Sequence, residues 1–223
     1  MIKQAIIPLA GLGTRLLPLT SVFAKELLPI NGKPGLEYIL DECIEAGIKE
    51  IIFIISKKKL MIKKYFYNDK FYQDIIKSKK DPRITAEYKK ILKYKKMIKF
   101  VFQDKPLGTG DAVLKTKKFI KDSHFLMLFP DDLIMKKNCS KSMIATHNKY
   151  KSSIMATMNV KKKTISRWGI YDIQKKIDKN NFLINGVIEK PSLKTAPSNK
   201  AVIGRYILPK TIFKKLKNLK PGK

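Results

Sequence analysis

Hydrophobic residues near the start of the chain fall into short runs separated by one amphipathic segment. Residues 3–9 are an apolar stretch that ends at a glycine-rich turn, and residues 50–55 are a second apolar run, so both predict buried strands. Between them, residues 34–46 place apolar side chains at helical spacing, with Pro34 suited to begin the helix and Gly47 suited to end it. This order predicts a βαβ unit with parallel strands and a right-handed crossover.

The rest of the chain continues the alternation of helices and strands. Residues 57–96 are rich in Lys and Tyr and predict an insertion of two or three amphipathic helices, broken near Asp81-Pro82. Further strands are expected at 98–102, 124–129, 153–160, 168–173, 182–189 and 201–208, and further helices at 110–120, 140–150 and 209–217. The pattern predicts a single domain over residues 1–223, a three-layer α/β fold with a mixed sheet.

The charge of the chain first suggests a nucleic-acid partner. It has 48 Lys plus Arg against 18 Asp plus Glu, a formal net charge of +30, but only four of the basic residues are Arg. Nucleic-acid sites favour the planar fork of Arg, and the lysines here are scattered along the chain. We therefore interpret the charge as a compositional bias and expect no specific nucleic-acid partner, although polyanions should be attracted at low salt.

Apolar runs and cysteines restrict the cellular setting. The longest apolar runs have about five or six residues where a membrane span needs about 20, and the first eight residues are too short for a signal peptide. Cys43 and Cys139 lie far apart, and with only His124 and His147 beside them no zinc or disulfide framework is expected. We expect a cytoplasmic protein without a membrane partner, and we assign no catalytic role to these four residues.

The loop after the first strand carries donors suited to phosphate. Gly11 and Gly13 allow backbone N–H groups to approach a ligand closely, Thr14 and Arg15 add side-chain donors, and Lys25 adds a point charge. The loop is neither a Walker A motif nor the dinucleotide-binding fingerprint. Taken alone, two glycines are more typical of an ordinary tight turn than of a ligand site.

The extended pattern is far more specific. Pro18, Thr20, Lys25-Glu26 and Pro29 continue the loop, and the whole segment resembles the signature of the sugar-phosphate nucleotidylyltransferases. Later segments similar to that family follow in order: Gln103–Val113, Phe129–Asp132, Trp168–Asp172, Val187–Pro191, Ala196–Asn199 and Gly204–Leu208. The resemblance spans residue 4 to about 222 and implies a Rossmann-like nucleotidyltransferase fold with a mostly parallel sheet.

The resemblance implies a reaction of UTP with glucose 1-phosphate that gives UDP-glucose and pyrophosphate. The attacking phosphate oxygen is already an anion, so the site needs Mg²⁺ and fixed cations to position and neutralise two polyanions, and it needs no general base. The long 57–96 segment favours the UTP-using members over the shorter dTTP-using ones. Two alternatives stay open: an enzyme for dTTP or another sugar phosphate, and a catalytically impaired remnant that binds nucleotides or polyanions.

The resemblance also implies a role for each candidate residue. Asp131, after a buried strand, is the expected Mg²⁺ ligand, although an aspartate pair there could instead begin a turn. The catalytic cations are Arg15 and Lys25 at the UTP phosphates and Lys190 at the sugar phosphate. The expected nucleotide-binding residues are Ala10, Gly11, Gly13, Thr14, Glu26, Gln103 and Gly108, and the expected sugar-binding residues are Asp132, Gly169 and Glu189.

The end of the chain departs from the family pattern. Members of the family continue beyond the Pro221-Gly222 position with a further polar segment and helices, so the C-terminal part of the family's domain is expected to be absent. From this departure we expect weak or absent turnover relative to a full-length member. A homo-oligomeric state is left open by the sequence.

Overall fold

The computed structural model describes residues 2–219 and places them in ten strands and seven α-helices. The strands are β1 (Gln4–Pro8), β2 (Pro29–Ile30), β3 (Lys33–Pro34), β4 (Glu50–Ile55), β5 (Ile98–Phe102), β6 (His124–Leu128), β7 (Ile154–Asn159), β8 (Gly169–Lys176), β9 (Phe182–Glu189) and β10 (Lys200–Pro209). The helices are α1 (Gly35–Glu45), α2 (Leu60–Tyr67), α3 (Asp69–Lys79), α4 (Pro82–Met97), α5 (Thr109–Lys115), α6 (Cys139–Tyr150) and α7 (Ile212–Leu216).

One mixed sheet forms the middle of this structure, in the order β5-β4-β1-β6-β10-β8-β9, with β7 paired to β10. Strands β5, β4, β1 and β6 are parallel, and β10 runs antiparallel to β6. The predicted α/β fold is confirmed. Because parallel strands end at the same edge of a sheet, the loops after these four strands meet at one edge, which is where open α/β sheets bind ligands.

The core has two layers because successive strand residues face opposite sides of the sheet. On one side, Ile7 of β1 packs with Leu36 of α1 and Phe66 of α2. On the other side, Ile6 packs with Val113 of α5 and Phe213 of α7. This two-sided burial explains why the strands read as continuous apolar runs.

The helical segment between β4 and β5 is confirmed as three helices. Asp81 caps α4 by accepting a hydrogen bond from the Arg83 backbone N–H, and Pro82 is the first helical residue. The segment packs against α1, where the buried Glu37 carboxylate accepts a hydrogen bond from the Tyr65 hydroxyl. That residues 57–96 are an insertion into a single domain stays a prediction.

Several boundaries differ from expectation. Helix α5 ends at Lys115, five residues early, because Thr116 turns its hydroxyl back to the Val113 carbonyl and the chain continues in tight turns. Strand β10 continues to Pro209, which delays α7 to Ile212. A β2-β3 hairpin was not predicted; its turn is Asn31-Gly32, both at positive φ, as a two-residue hairpin turn requires.

Two expectations concern the limits of the chain. No helix within residues 2–219 is long and apolar enough to span a membrane. The departure expected at Pro221-Gly222 lies outside the described residues.

Candidate active site

The loop after β1 is shaped by a glycine. Gly13 has φ +71°, and a Cβ at this position would lie 3.1 Å from the Thr20 Cγ2 atom, so a side chain is disfavoured by both conformation and space. The Thr20 hydroxyl donates to the Gly13 carbonyl at 2.9 Å and closes the loop. A 3₁₀ turn over Thr14–Leu16 follows and carries Arg15. At Gly11, by contrast, a Cβ would meet no atom within 4 Å, so Gly11 borders open space, next to the half-buried Ala10.

Lys25 and Asp131 join this loop to the end of β6. The Lys25 ammonium lies 2.8 Å from Asp131 Oδ2, with the side chains 21% and 49% exposed. Burial alone would raise the pKa of Asp131, but the hydrogen bond and charge of Lys25, together with the charge of Arg15, outweigh it and hold that pKa below its usual value. The structure therefore pairs Lys25 with Asp131 and places Arg15, the third member of this charged cluster, near enough for its charge to act on the same carboxylate.

Glu26 points away from this open cluster. It is 4% exposed, and both of its carboxylate oxygens accept hydrogen bonds at 2.8 Å from Lys59, which is 5% exposed. Burial lowers the pKa of Lys59, and the Glu26 carboxylate only partly offsets this effect. The expected contact of Glu26 with the nucleotide does not fit this placement, because burial and the ion pair leave its carboxylate little access to a ligand.

Lys59 was missed by the sequence analysis. It follows Lys57 and Lys58, both exposed, and three consecutive lysines give no sign of which one is buried. The 3₁₀ turn over these residues directs only the third one inward, towards Glu26. The charges of Lys25 and Asp131 both act on Lys59, so the buried ion pair lies near the Lys25–Asp131 pair.

The loop after β5 contains the second predicted nucleotide segment. Gln103 is buried, and its amide nitrogen donates to the Gly108 carbonyl at 3.1 Å and to Asp111 Oδ2 at 2.8 Å. Gly108 has φ +92° and directly precedes α5. These bonds use the amide nitrogen, so Gln103 is held in one orientation and its carbonyl oxygen is the group left to accept from a ligand.

The turn after β6 is tied to β10. Asp132 Oδ2 accepts a hydrogen bond from the Gly204 backbone N–H at 2.6 Å, and the Phe129 N–H donates to the Gly204 carbonyl at 2.8 Å. Asp132 therefore has one carboxylate oxygen committed to the backbone. Its predicted sugar contact depends on the other oxygen.

A cleft of about 390 Å³ opens beside this turn and contains the three predicted sugar-side residues, Asp132, Gly169 and Glu189. A Cβ on Gly169 would lie 3.0 Å from Glu189 Oε2 and 3.2 Å from the nearest Val187 atom, so the glycine keeps the cleft open. The remaining lining residues are Phe129, Met155, Arg167, Trp168, Tyr171, Val187, Val202, Gly204 and Tyr206.

Lys190 follows Glu189 in an unusual backbone conformation. Its φ is +45°, which is uncommon for a residue with a side chain and is found disproportionately at functional sites. Its ammonium lies 3.9 Å from Glu189 Oε1, and both side chains are mostly exposed. An exposed pair of this kind contributes about 0 to 1 kcal/mol, so little holds the Lys190 side chain away from an incoming phosphate.

The cluster fits a divalent cation that is coordinated mainly by substrate phosphates and water, with a single protein carboxylate. Within residues 2–219 no group of three or more His, Cys, Asp or Glu side chains could hold a metal ion without help. Asp131 offers a half-exposed carboxylate with a depressed pKa. One carboxylate together with substrate phosphates is a typical Mg²⁺ site, because this ion keeps most of its coordination for phosphate and water oxygens.

The cysteines and histidines are the residues for which no catalytic role is expected. Burial, with a smaller contribution from the Glu42 charge, raises the pKa of the Cys139 thiol to about 11, and the same causes raise that of the Cys43 thiol further. Both cysteines are free. The His124 and His147 rings pack against each other with centroids 4.5 Å apart.

Comparison with known proteins places these features in a family. A family model described as nucleotidyl transferase matches residues 4–223. A UTP–glucose-1-phosphate uridylyltransferase of Streptococcus pyogenes is 35% identical over 226 residues, covering 99% of this chain and 74% of the relative. A UDP-glucose pyrophosphorylase solved with UDP-glucose is 33% identical with a TM-score of 0.82, covering 100% and 81% of the two chains. A UTP-bound enzyme of the same type from Acinetobacter baumannii is also 33% identical, with a TM-score of 0.89 and 98% and 78% coverage.

Proposed function

Because this chain belongs to the nucleotidyl transferase family, we propose that it is the enzyme that makes UDP-glucose and pyrophosphate from UTP and glucose 1-phosphate. A phosphate oxygen of the sugar attacks the α-phosphorus of UTP. The bond from that phosphorus to the bridging oxygen breaks, and pyrophosphate leaves with the bond electrons. No proton has to be removed from the nucleophile, so the protein acts by positioning and by neutralising charge.

The observation that carries the proposal is the junction of two sites. The Arg15, Lys25 and Asp131 cluster lies at the carboxyl edge of the parallel strands, and Asp131 and Asp132 are adjacent in sequence, with Asp132 lining the sugar cleft. A triphosphate at the cluster and a hexose in the cleft would therefore bring their phosphates together at the turn after β6. Substrate binding at this one place supplies the alignment that an in-line displacement needs.

On the nucleotide side, Gly11 borders open space beside Ala10, and Gln103, whose amide nitrogen is already bonded to Gly108 and Asp111, offers its carbonyl oxygen to an N–H donor on the edge of uracil. The backbone of Gly13 and the 3₁₀ turn that begins at Thr14 face the triphosphate, with the Arg15 guanidinium as its cation. We therefore assign uracil to the first of these groups and phosphate to the second.

On the sugar side, Glu189 and Asp132 would accept hydrogen bonds from glucose hydroxyls, and Gly169 leaves room for the ring. Lys190 would pair with the sugar phosphate. Lys25 would exchange its contact with Asp131 for a phosphate oxygen as the substrates arrive.

We propose Mg²⁺ as the divalent ion, with Asp131 as its protein ligand. When bound, this ion neutralises phosphate charge near the α-phosphorus. We also propose that residues 1–223 form one domain. We place the protein in the cytoplasm, because both cysteines are free thiols and a reducing compartment keeps them so.

The test is pyrophosphate release from UTP and glucose 1-phosphate with Mg²⁺, comparing the natural chain with Asp131→Asn. Release should require both substrates, and kcat/KM of the variant should fall by about 10²-fold or more, the loss typical of removing one preorganised electrostatic group. Asp74→Asn, an exposed change of the same chemistry on α3, should leave the rate unchanged. Faster turnover with dTTP, or with another sugar phosphate, would favour a different nucleotidylyltransferase. No turnover with any of these pairs, together with no binding of Mg²⁺·UTP, would contradict the proposal.

A further inference from the structure

The fourth arginine from the N-terminus, Arg205, has no role in the proposed reaction, although its neighbours Gly204 and Tyr206 line the sugar cleft. It sits on β10 opposite Leu128, the last residue of β6, and its side chain is 0% exposed. Full burial of a guanidinium is costly unless each of its donors finds a partner. Its partners are therefore informative about what the surrounding structure is built to hold.

One side of the guanidinium is neutralised by Glu42 of α1. Arg205 Nε lies 3.0 Å and 3.1 Å from the two carboxylate oxygens, and Nη2 lies 2.7 Å from Oε2. Ser140 of α6 fixes the same carboxylate, because its backbone N–H and hydroxyl donate to Glu42 Oε1 at 3.1 Å and 2.6 Å. Two helices thus hold the orientation of the arginine fork.

The other side of the fork grips the turn that carries Asp131. Arg205 Nη1 donates to the Phe129 carbonyl at 3.1 Å, and Nη2 donates to the Asp132 carbonyl at 2.8 Å. Nη1 also donates to the Gly204 carbonyl at 2.9 Å, the same oxygen that accepts from the Phe129 N–H. The two carbonyls on either side of Pro130-Asp131 are therefore bound by one rigid, planar group.

We propose that Arg205, oriented by Glu42 and Ser140, is a positioning residue that sets the place of the Asp131 carboxylate for the metal–nucleotide complex. The inference rests on the proposed function of the same site. Arg205 is too deeply buried to touch a substrate, so its effect passes through the backbone of the Phe129–Asp132 turn. Lysine cannot replace it, because an ammonium presents a single point of donors and cannot reach the carboxylate and both flanking carbonyls together.

The test uses the full chain with two variants that avoid an unpaired buried charge. Arg205→Lys keeps the charge beside Glu42 but loses the fork, and Glu42→Gln combined with Arg205→Met neutralises the pair. At a temperature where circular dichroism shows each protein fully folded, titration calorimetry should show Mn²⁺·UTP binding weakened tenfold or more. The Mg²⁺ concentration that half-saturates turnover should rise by a similar factor. Binding of UTP in EDTA should change less than threefold.

Phe213→Ala is the matched control, because Phe213 is buried on the opposite face of the sheet from Glu42, stacks on Phe125, and its loss destabilises the fold while leaving the hydrogen bonds of Arg205 to the turn in place. Its Mn²⁺·UTP affinity should equal that of the natural chain while its melting temperature falls. The same result for the Arg205 variants, a lower melting temperature with unchanged Mn²⁺·UTP affinity, would assign Arg205 a purely structural role and overturn the proposal.

If both Arg205 variants fail to fold, Ser140→Ala carries the test, since it loosens Glu42 without removing either charge. It should raise the half-saturating Mg²⁺ concentration two- to fivefold, and an unchanged value would overturn the proposal. A natural chain that neither binds Mn²⁺·UTP nor turns over would mean that the proposed function itself fails. A natural chain that does both beside variants with unchanged metal dependence would mean that only the role of Arg205 fails.

Discussion

Gly204 offers the sharpest test of how the turn after β6 is packed, through the substitution Gly204→Ala. A Cβ built at Gly204 lies 2.5 Å from Phe129 Cβ, 2.7 Å from Phe129 Cδ2 and 2.8 Å from Asp132 Oδ2. Carbon atoms in contact are normally about 3.5 to 4.0 Å apart, so the methyl group overlaps its neighbours by about 1 Å. Phe129 cannot simply turn away, because its first clashing atom is Cβ, which moves only with the backbone.

The cost follows from what must shift. Phe129 N–H donates to the Gly204 carbonyl at 2.8 Å and the ring packs edge-on against Tyr206, so relieving the overlap loosens a hydrogen bond and a packed aromatic pair. Overpacking a tight site typically lowers the free energy of unfolding by about 1 to 3 kcal/mol. In a chain of this size, each kcal/mol lowers the melting temperature by about 2 to 4 °C, so a fall of roughly 2 to 12 °C is expected. Because Asp131 lies within the displaced turn, kcat/KM should also fall at least tenfold.

Gly186→Ala is the matched control. Gly186 is also a strand glycine, but a Cβ there meets no atom within 4 Å. Alanine reduces the backbone entropy of the unfolded chain, so this variant should be more stable by up to about 1 kcal/mol, and its rate of UDP-glucose synthesis should not change. Calorimetry gives the melting temperatures and a pyrophosphate assay at 25 °C gives the rates. Equal melting temperatures and rates for the two alanine variants would refute the packing argument.

Three further predictions test other parts of the site. Gly169→Ala should raise KM for glucose 1-phosphate about tenfold with little change in KM for UTP, since its methyl group would lie 3.0 Å from Glu189 Oε2; equal changes in both KM values would contradict this. Lys59→Met should lower the free energy of unfolding in urea by about 3 to 5 kcal/mol, because it leaves the Glu26 carboxylate buried and unpaired. Adding Glu26→Gln should recover most of this loss, and a double variant as unstable as the single one would contradict the assignment of the loss to the unpaired carboxylate. Carboxyl NMR should show Asp131 titrating below pH 3.8, and its pKa should rise in Lys25→Met; a midpoint above 3.8 in the natural chain would be the contrary result. A depressed pKa stabilises the folded state at pH values above the unfolded-state pKa, which is about 3.9, so this stabilisation should disappear only as the pH falls through the lower, folded-state pKa.

The sequence was sufficient to predict the bounds of those helices and strands whose buried positions form a clear hydrophobic pattern. The apolar runs of β4 and β6 and the helical spacing of α1 located these elements to within a residue or so. The α4 start was readable because Asp81 and Pro82 are residue types suited to a helix N-terminus. The end of α5 was not readable, since Thr116 is acceptable both inside a helix and in the turn that its hydroxyl stabilises.

The candidate site divides in the same way. Gly13, Gly169 and Asp131 each meet a local requirement of space, backbone angle or charge at a strand end, which a sequence motif can encode. The placement of Glu26 and the burial of Lys59 depend on contacts 33 residues apart in the chain, which no local pattern encodes. An ion pair between residues far apart in the chain therefore could not be predicted from this single sequence.

Arginine usage connects composition to the site. Among the 48 basic residues only four are Arg, so a structural reason for Arg is easier to recognise here than in an ordinary chain. Arg15 lies at the Lys25–Asp131 pair, Arg167 lines the sugar cleft, and Arg205 holds the turn between them. Only Arg83 lies elsewhere, exposed beside the Asp81 cap of α4. Lysine supplies bulk charge over most of this chain, and Arg205 stands where a planar fork must bind several acceptors at once. A few planar arginine side chains thus fix the positions of groups in the site, whereas most of the lysines contribute only net positive charge around it.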